Sequence, residues 1–304
     1  MTRLRRVDCS RPGIARRGRG RGFQYVDENG ERVEDVETLE RIRELAIPPA
    51  WRDVWICPYP NGHIQAIGTD AAGRKQYRYH LKWRERRDQE KFDKMVEFAR
   101  SLPRLREVTT EHVALAGFPR ERVVACAVRL LDRGFFRIGG EEYAEENESY
   151  GLATMQKEHV TLEPNYTLTF DYPAKSGKQH VTSVVDPEIY ALVGALKKRR
   201  SGGSELLAYK PDGRWVDVKS DDVNAYIKEV TGGDFSAKDF RTWTGTVLAA
   251  VSLAVSAQVA SSKTGSKRAI TRAVQEVAHY LGNTAAVARA SYIDPRVFDR
   301  YRAG

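Results

Sequence analysis

Tyr292 closes an ordered series of polar residues: Arg137, Lys175, Arg241 and Asn283 precede it, each in a distinctive local string. One tyrosine among 14 carries no information alone; the ordered set does. When a nucleophile attacks a phosphodiester, negative charge builds on the non-bridging oxygens, and preorganised cations or N–H donors must meet it. Arginine suits that task because it is permanently charged and forks onto two oxygens at once. The departing alkoxide needs a proton, which a lysine of depressed pKa supplies. A nucleophile that stays attached permits resealing, and tyrosine forms such an ester. Together these residue types make a metal-free kit for breaking and rejoining a nucleic-acid backbone.

Each residue also has a plainer explanation. Arg137 stands in Leu-Leu-Asp-Arg-Gly-Phe-Phe-Arg-Ile-Gly-Gly, where an arginine equally serves to cap the end of the preceding apolar helix. Lys175 ends Thr-Phe-Asp-Tyr-Pro-Ala-Lys and opens a Ser-Gly turn, with Lys178 across the turn as its competitor. Either lysine is otherwise a solvated hairpin tip. Arg241 lies in Ser-Ala-Lys-Asp-Phe-Arg-Thr-Trp, with Lys238 one turn earlier, so both could meet a phosphate or form a solvated basic face. Asn283 follows Gly282 at a helix break, where asparagine commonly caps. His279 reads as a packing histidine.

The elements that must position these residues are legible from periodicity. Residues 11–22 alternate arginine with glycine, a composition that predicts a flexible basic arm. Strands are expected at 23–26, 51–57 and 63–68 and a short helix at 36–45, stopped before Pro48-Pro49. Residues 1–90 therefore read as a small β-rich domain, with 1–22 as its arm. Apolar stripes predict helices at 88–101 and 118–136, the latter closed by Gly139-Gly140. Strands follow at 160–162, 167–172 and 180–185, then helices at 187–198, 220–230, 236–257 and 270–281 and a short one from 284. Residues 91–304 are thus a mainly helical domain with a small sheet, and the fold class is α+β.

Lys and Arg number 50 against 41 Asp and Glu, a formal charge of +9 over 304 residues. That balance favours a polyanionic partner, because cations on phosphates release condensed counterions. Cys9, Cys57 and Cys126 are odd in number and widely spaced, which argues against a disulfide framework. The six histidines form no metal-binding pattern, and no metal or cofactor is expected. No apolar run spans a membrane, and Met-Thr-Arg-Leu-Arg-Arg lacks the apolar segment of a secretory signal, so a cytoplasmic, reduced setting is expected. No GxxxxGK[ST] string is present; Lys-Thr-Gly-Ser-Lys at 263–267 shares only its composition and reads as a basic loop.

In this order the strings resemble the type IB DNA topoisomerases, in particular their compact poxvirus-like and bacterial branch, over nearly the whole chain. Phe-Phe-Arg-Ile-Gly, Phe-Asp-Tyr-Pro-Ala-Lys and Lys-Asp-Phe-Arg-Thr are similar to that family's first arginine, hairpin lysine and second arginine motifs. Leu-Gly-Asn-Thr followed by Ser-Tyr at 291–292 is similar to its nucleophile region, and Gly-Arg-Lys-Gln-Tyr-Arg-Tyr-His at 73–80 to its DNA-contacting segment. The departure is Asn283, where poxvirus-like and many other members carry histidine; asparagine still donates a hydrogen bond but brings no charge.

The resemblance implies a monomeric two-domain clamp around double-stranded DNA. Arg74, Lys75, Gln76, Tyr77 and Tyr79, with Lys178 and Lys238, would contact the duplex. Tyr292 would attack to leave a 3′-phosphotyrosine, with Arg137, Arg241 and Asn283 on the transition state and Lys175 as acid, relaxing supercoils without ATP. Two alternatives compete. A tyrosine recombinase shares the chemistry but usually has histidine where Lys238 stands, and a non-catalytic DNA-binding protein leaves Tyr292 and its partners as coincidence.

Overall fold

The computed structural model describes residues 3–141, 144, 148–257 and 263–304. They fall into two units, Met1–Lys91 and Phe92–Gly304. Among the described residues no helix is long and apolar enough to cross a membrane.

The first unit is an antiparallel sheet. Its strands β1 (Ile14–Arg19), β2 (Gly22–Val26), β3 (Arg52–Ile56), β4 (Ile64–Thr69) and β5 (Lys75–Tyr79) lie in the order β2-β1-β3-β4-β5. Helix α1 (Val36–Glu44) starts where Asp35 accepts the Thr38 amide at 2.8 Å and adds Ile42 to a core of Ile14, Val54, Ile56 and Ala66. The basic segment at 11–22 is therefore not a flexible arm. Ile14 is buried and pairs with Ile56, and β1 turns back on β2 through Gly20, at φ 56°. Arg16 donates to the carbonyls of Pro48 at 3.1 Å and Trp51 at 2.6 Å. Those partners lie more than 30 residues away, so composition alone misjudged the segment.

Helix α2 (Leu81–Val113) runs across the boundary between the units, and within the second it buries Phe92, Met95, Phe98, Leu102 and Leu105. Helix α3 (Arg120–Gly134) buries the predicted stripe of Val123, Val124, Ala127, Leu130 and Leu131. It stops earlier than Gly139-Gly140, because Phe135 itself takes the left-handed cap at φ 59°. Strands β6 (Val160–Glu163), β7 (Thr167–Ala174) and β8 (Lys178–Val185) form an antiparallel sheet, with a 3₁₀ turn at Lys175–Gly177 between the last two. Asp186, fully buried, caps helix α4 (Pro187–Lys197) through the Glu188 and Ile189 amides. Its carboxylate also receives Arg129 and Arg133 of α3, which locks the sheet's exit to that helix.

A small strand pair, β9 (Ala208–Tyr209) and β10 (Val216–Asp217), precedes α5 (Ser220–Thr231). Helix α6 (Ala237–Ala257) begins after Ser236, whose amide and hydroxyl both bond the Asp239 carboxylate. Helix α7 (Lys263–Tyr280) starts well before residue 270, so the 263–267 segment is helical rather than a loop. Helices α8 (Ala285–Ser291) and α9 (Pro295–Ala303) complete the chain. The four C-terminal helices share their own core of Ala249, Leu253, Ala273, Val277, Leu281, Ile293 and Phe298, with Phe135 and Tyr292 packed against it.

Candidate active site

Arg137 does not cap its own preceding helix. It lies beyond α3, and its Nη2 donates to the Gly282 carbonyl at 3.2 Å and to Asn283 Oδ1 at 2.7 Å, just past the end of α7. Arg241, one turn into α6 and only 6% exposed, bridges two helix ends. Its Nη1 donates to the Phe135 carbonyl and its Nη2 to the Leu281 carbonyl, each at 2.7 Å. Helix C-termini carry partial negative charge, so these carbonyls steady two guanidiniums that repel each other. Neither has a carboxylate partner among the described residues, and burial together with Arg137 pulls the Arg241 pKa down to about 10. It remains charged at neutral pH.

Tyr292 is the residue that ends α8, and three contacts fix its backbone. Its amide donates to the Ala288 carbonyl at 3.0 Å, and its own carbonyl accepts from Thr246 Oγ1 at 3.2 Å. Gly245 supplies the third: a Cβ there would stand 2.9 Å from the Tyr292 carbonyl oxygen, so only glycine lets α6 approach this closely. The Arg241 guanidinium sits 5.1 Å from the Tyr292 ring centroid. Burial pushes the phenol pKa up, but Arg241 and Arg137 reverse that, and the result lies below the ordinary tyrosine value. A phenolate is therefore easier to form here than at a surface tyrosine.

Asn283 owes its place to backbone geometry. Gly282, at φ 59°, ends α7 in the left-handed region; its amide bonds the His279 carbonyl at 3.1 Å and the Asn283 amide bonds the Ala278 carbonyl at 2.9 Å. That is a Schellman termination, which needs glycine and swings the next side chain out of the helix. Asn283 Oδ1 is taken by Arg137, which leaves Nδ2 as the free end. Asn283 Nδ2 and Arg241 Nε are both buried donors with no acceptor among the described residues. Such groups cost about 1–3 kcal/mol each unless something satisfies them.

A cleft of about 550 Å³ opens here, lined by Arg137, Lys175, Lys178, His180, Arg241 and His279 among others, with no carboxylate in its wall. Lys175 and Lys178 are both exposed and flank the same turn, so the competition between them persists. Lys238 is exposed while Arg241 is buried, and of the two only Arg241 belongs to the cleft wall. His279 is exposed rather than packed. The sequence reasoning missed His180; two-residue alternation back from buried Val184 along β8 was the signal that placed it inward. Among the described residues no three His, Cys, Asp or Glu side chains gather as a metal-ligand set.

The remaining candidates belong to the first unit. On β5 the rings of Tyr77 and Tyr79 stack at 5.9 Å and are 43% and 40% exposed, a ready platform. Arg74 bonds Asp70 through Nε at 3.0 Å, and Gln76 reaches the same carboxylate at 2.9 Å. Lys75 is exposed. Arg78, which alternates with the tyrosines, donates instead to the Ala46 carbonyl at 2.9 Å.

Comparison with known proteins gives the family of the chain. Residues 80–302 match the family model of the eukaryotic DNA topoisomerase I catalytic core, and residues 22–70 match that of the bacterial DNA topoisomerase IB N-terminal domain. DNA topoisomerase 1B of Acanthamoeba polyphaga mimivirus is 32% identical over 298 residues, covering 95% of this chain and 88% of the viral protein. DNA topoisomerase 1 alpha of Arabidopsis thaliana is 27% identical over 161 residues, 53% of this chain but 16% of the plant protein. DNA topoisomerase 1 of Schizosaccharomyces pombe is 28% identical over 134 residues, 44% of this chain and 16% of the yeast protein. With a catalytic-core match over most of its length and a viral relative aligned nearly end to end, this chain belongs to the type IB DNA topoisomerase family.

Proposed function

We propose that the chain relaxes supercoiled DNA by transient cleavage of one strand through Tyr292. The Tyr292 Oη–phosphorus bond forms as the phosphorus–O5′ bond breaks, giving a 3′-phosphotyrosine and a free 5′-hydroxyl. Arg137, Arg241 and Asn283 take the charge that develops on the non-bridging oxygens. Lys175 protonates the leaving oxygen, and the phenol proton passes to solvent. The broken strand swivels, and the 5′-hydroxyl then reverses the exchange. The ester conserves the energy of the bond, so no ATP is required. Every charge developed in the reaction has a side-chain partner in the series, so none is left for a metal.

The observation that supports this reading most is the unsatisfied end of the site. Two guanidiniums without carboxylates and a buried Asn283 Nδ2 converge beside a tyrosine whose phenolate they favour. A phosphate is the ligand such an arrangement lacks. The stacked Tyr77 and Tyr79, with Arg74, Lys75 and Gln76, supply a duplex-contacting strand, Lys178 and Lys238 add phosphate contacts, and the two units act as a clamp in a monomer. The test is relaxation of supercoiled plasmid in EDTA without ATP: the wild type relaxes it and Tyr292→Phe does not. Equal activity of the two proteins, or none in either, would refute the reading.

A further inference from the structure

His180 lines the cleft but has no part in the reaction above. His180 is half-buried on β8, with its ring edge-on to the buried Tyr172 at 5.5 Å and 76°. A Cβ on Gly282 would lie 3.4 Å from His180 Nδ1, so the imidazole stands against the peptide that leads into Asn283. Arg137 donates to that same Gly282 carbonyl at 3.2 Å. The imidazole, Arg137 and Gly282 therefore share one corner of the cleft, with Asn283 next in the chain and bonded to Arg137.

Hydrogen bonding sets His180 apart from four of the other histidines. His63, His80 and His159 each accept a backbone amide at Nδ1, at 3.1, 3.1 and 3.2 Å, and His112 pairs with the Tyr226 hydroxyl at 2.7 Å. Those four are tied into the fold. His180 has no hydrogen bond to either ring nitrogen among the described residues, although it is one of the cleft's inner walls. Burial, then Arg241, Arg137 and His279, hold it below the ordinary histidine range, so at neutral pH it is an uncharged ring with one N–H to give. A neutral donor adds to the site without placing a third cation beside two guanidiniums.

We propose that His180 is a phosphate-contacting residue of the cleavage reaction, its free ring N–H donating to a non-bridging oxygen of the scissile phosphate beside Asn283 and the arginines. The inference rests on Tyr292 being the nucleophile. It places a donor on the β8 side of the phosphate, where Lys175 and Lys178 at the hairpin face the leaving group.

The test is single-turnover cleavage of a duplex oligonucleotide by the wild type, Tyr292→Phe, His180→Phe and His180→Gln, with duplex affinity measured alongside. His180→Phe fills the ring's volume without a donor and should slow covalent-complex formation about 10²-fold at unchanged affinity. His180→Gln keeps an N–H and should recover part of that loss, which a merely structural role would not predict. On the methylphosphonate isomer that removes the contacted oxygen, the His180→Phe defect should vanish. Wild-type cleavage by His180→Phe, or an equal defect on both methylphosphonate isomers, overturns this inference alone. Absence of any Tyr292-dependent adduct in the wild type overturns the nucleophile assignment as well.

Discussion

Gly245→Ala separates positioning from stability at the nucleophile. The added methyl would sit 2.9 Å from the Tyr292 carbonyl oxygen, 3.2 Å from Leu281 Cδ1 and 3.3 Å from Tyr292 Cβ, whereas ordinary contacts begin at 3.4 Å. The carbonyl is held by Thr246 Oγ1 and cannot swing freely, so the backbone carrying the phenol must retreat by about half an ångström. A displacement of 1 Å costs roughly 10² in rate, which puts this one near tenfold. Alanine in a helix interior is favoured over glycine by about 0.5–1 kcal/mol, and that offsets part of an overpacking cost of about 1–3 kcal/mol. The variant should therefore lose little thermal stability yet form and religate the covalent complex about tenfold more slowly. Single-turnover cleavage and religation of a labelled duplex, with Tm recorded on the same preparation, measure both. A folded variant with wild-type rates in both directions would refute the argument that α6 sets the position of Tyr292.

Three further outcomes follow from the same geometry. The phenolate absorbance lost in Tyr292→Phe should titrate below the ordinary tyrosine value of about 10, and in Arg241→Ala it should move up, because burial alone disfavours the phenolate; an unmoved titration would contradict the electrostatic coupling. Asn283→Asp keeps an acceptor for Arg137 but loses the free N–H and adds a repelling charge, so Tm should hold while cleavage falls about 10²-fold; a fall in Tm with intact cleavage would make Asn283 purely structural. Lys75→Ala should lower the slope of log affinity against log salt by about one without changing the cleavage rate of bound DNA, and an unchanged slope would remove Lys75 from the interface.

Much of the site could be read from residue types in order, because a phosphodiester attack needs particular functional groups wherever the fold puts them. The apolar stripe of α3 and the β7–β8 hairpin were equally legible, since one face of each must enter a core. Tertiary partners were not. Arg16, within the segment whose composition predicts a flexible arm, satisfies carbonyls around Pro48 and Trp51, and its hairpin is sheet rather than arm. Arg137 braces the end of α7 from far away in sequence, and no local pattern distinguishes that from capping α3. Lys238 and Arg241 are one turn apart, but burial on α6 turns only the second inward. His180 follows from strand alternation once the register against β7 is known, and the sequence does not print that register.

The central claim is that Tyr292 itself becomes bonded to DNA, and direct mapping of the adduct tests it. A duplex whose short downstream fragment, bearing the free 5′-hydroxyl, dissociates after cleavage traps the covalent complex; trypsin then cuts after Arg289 and Arg296, isolating a short peptide that holds Tyr292 as its sole tyrosine. Mass spectrometry should find a nucleotide on that tyrosine, joined through a 3′-phosphate, in the presence of EDTA. A nucleotide on any other residue, or relaxation of plasmid with no adduct on Tyr292, would contradict the account.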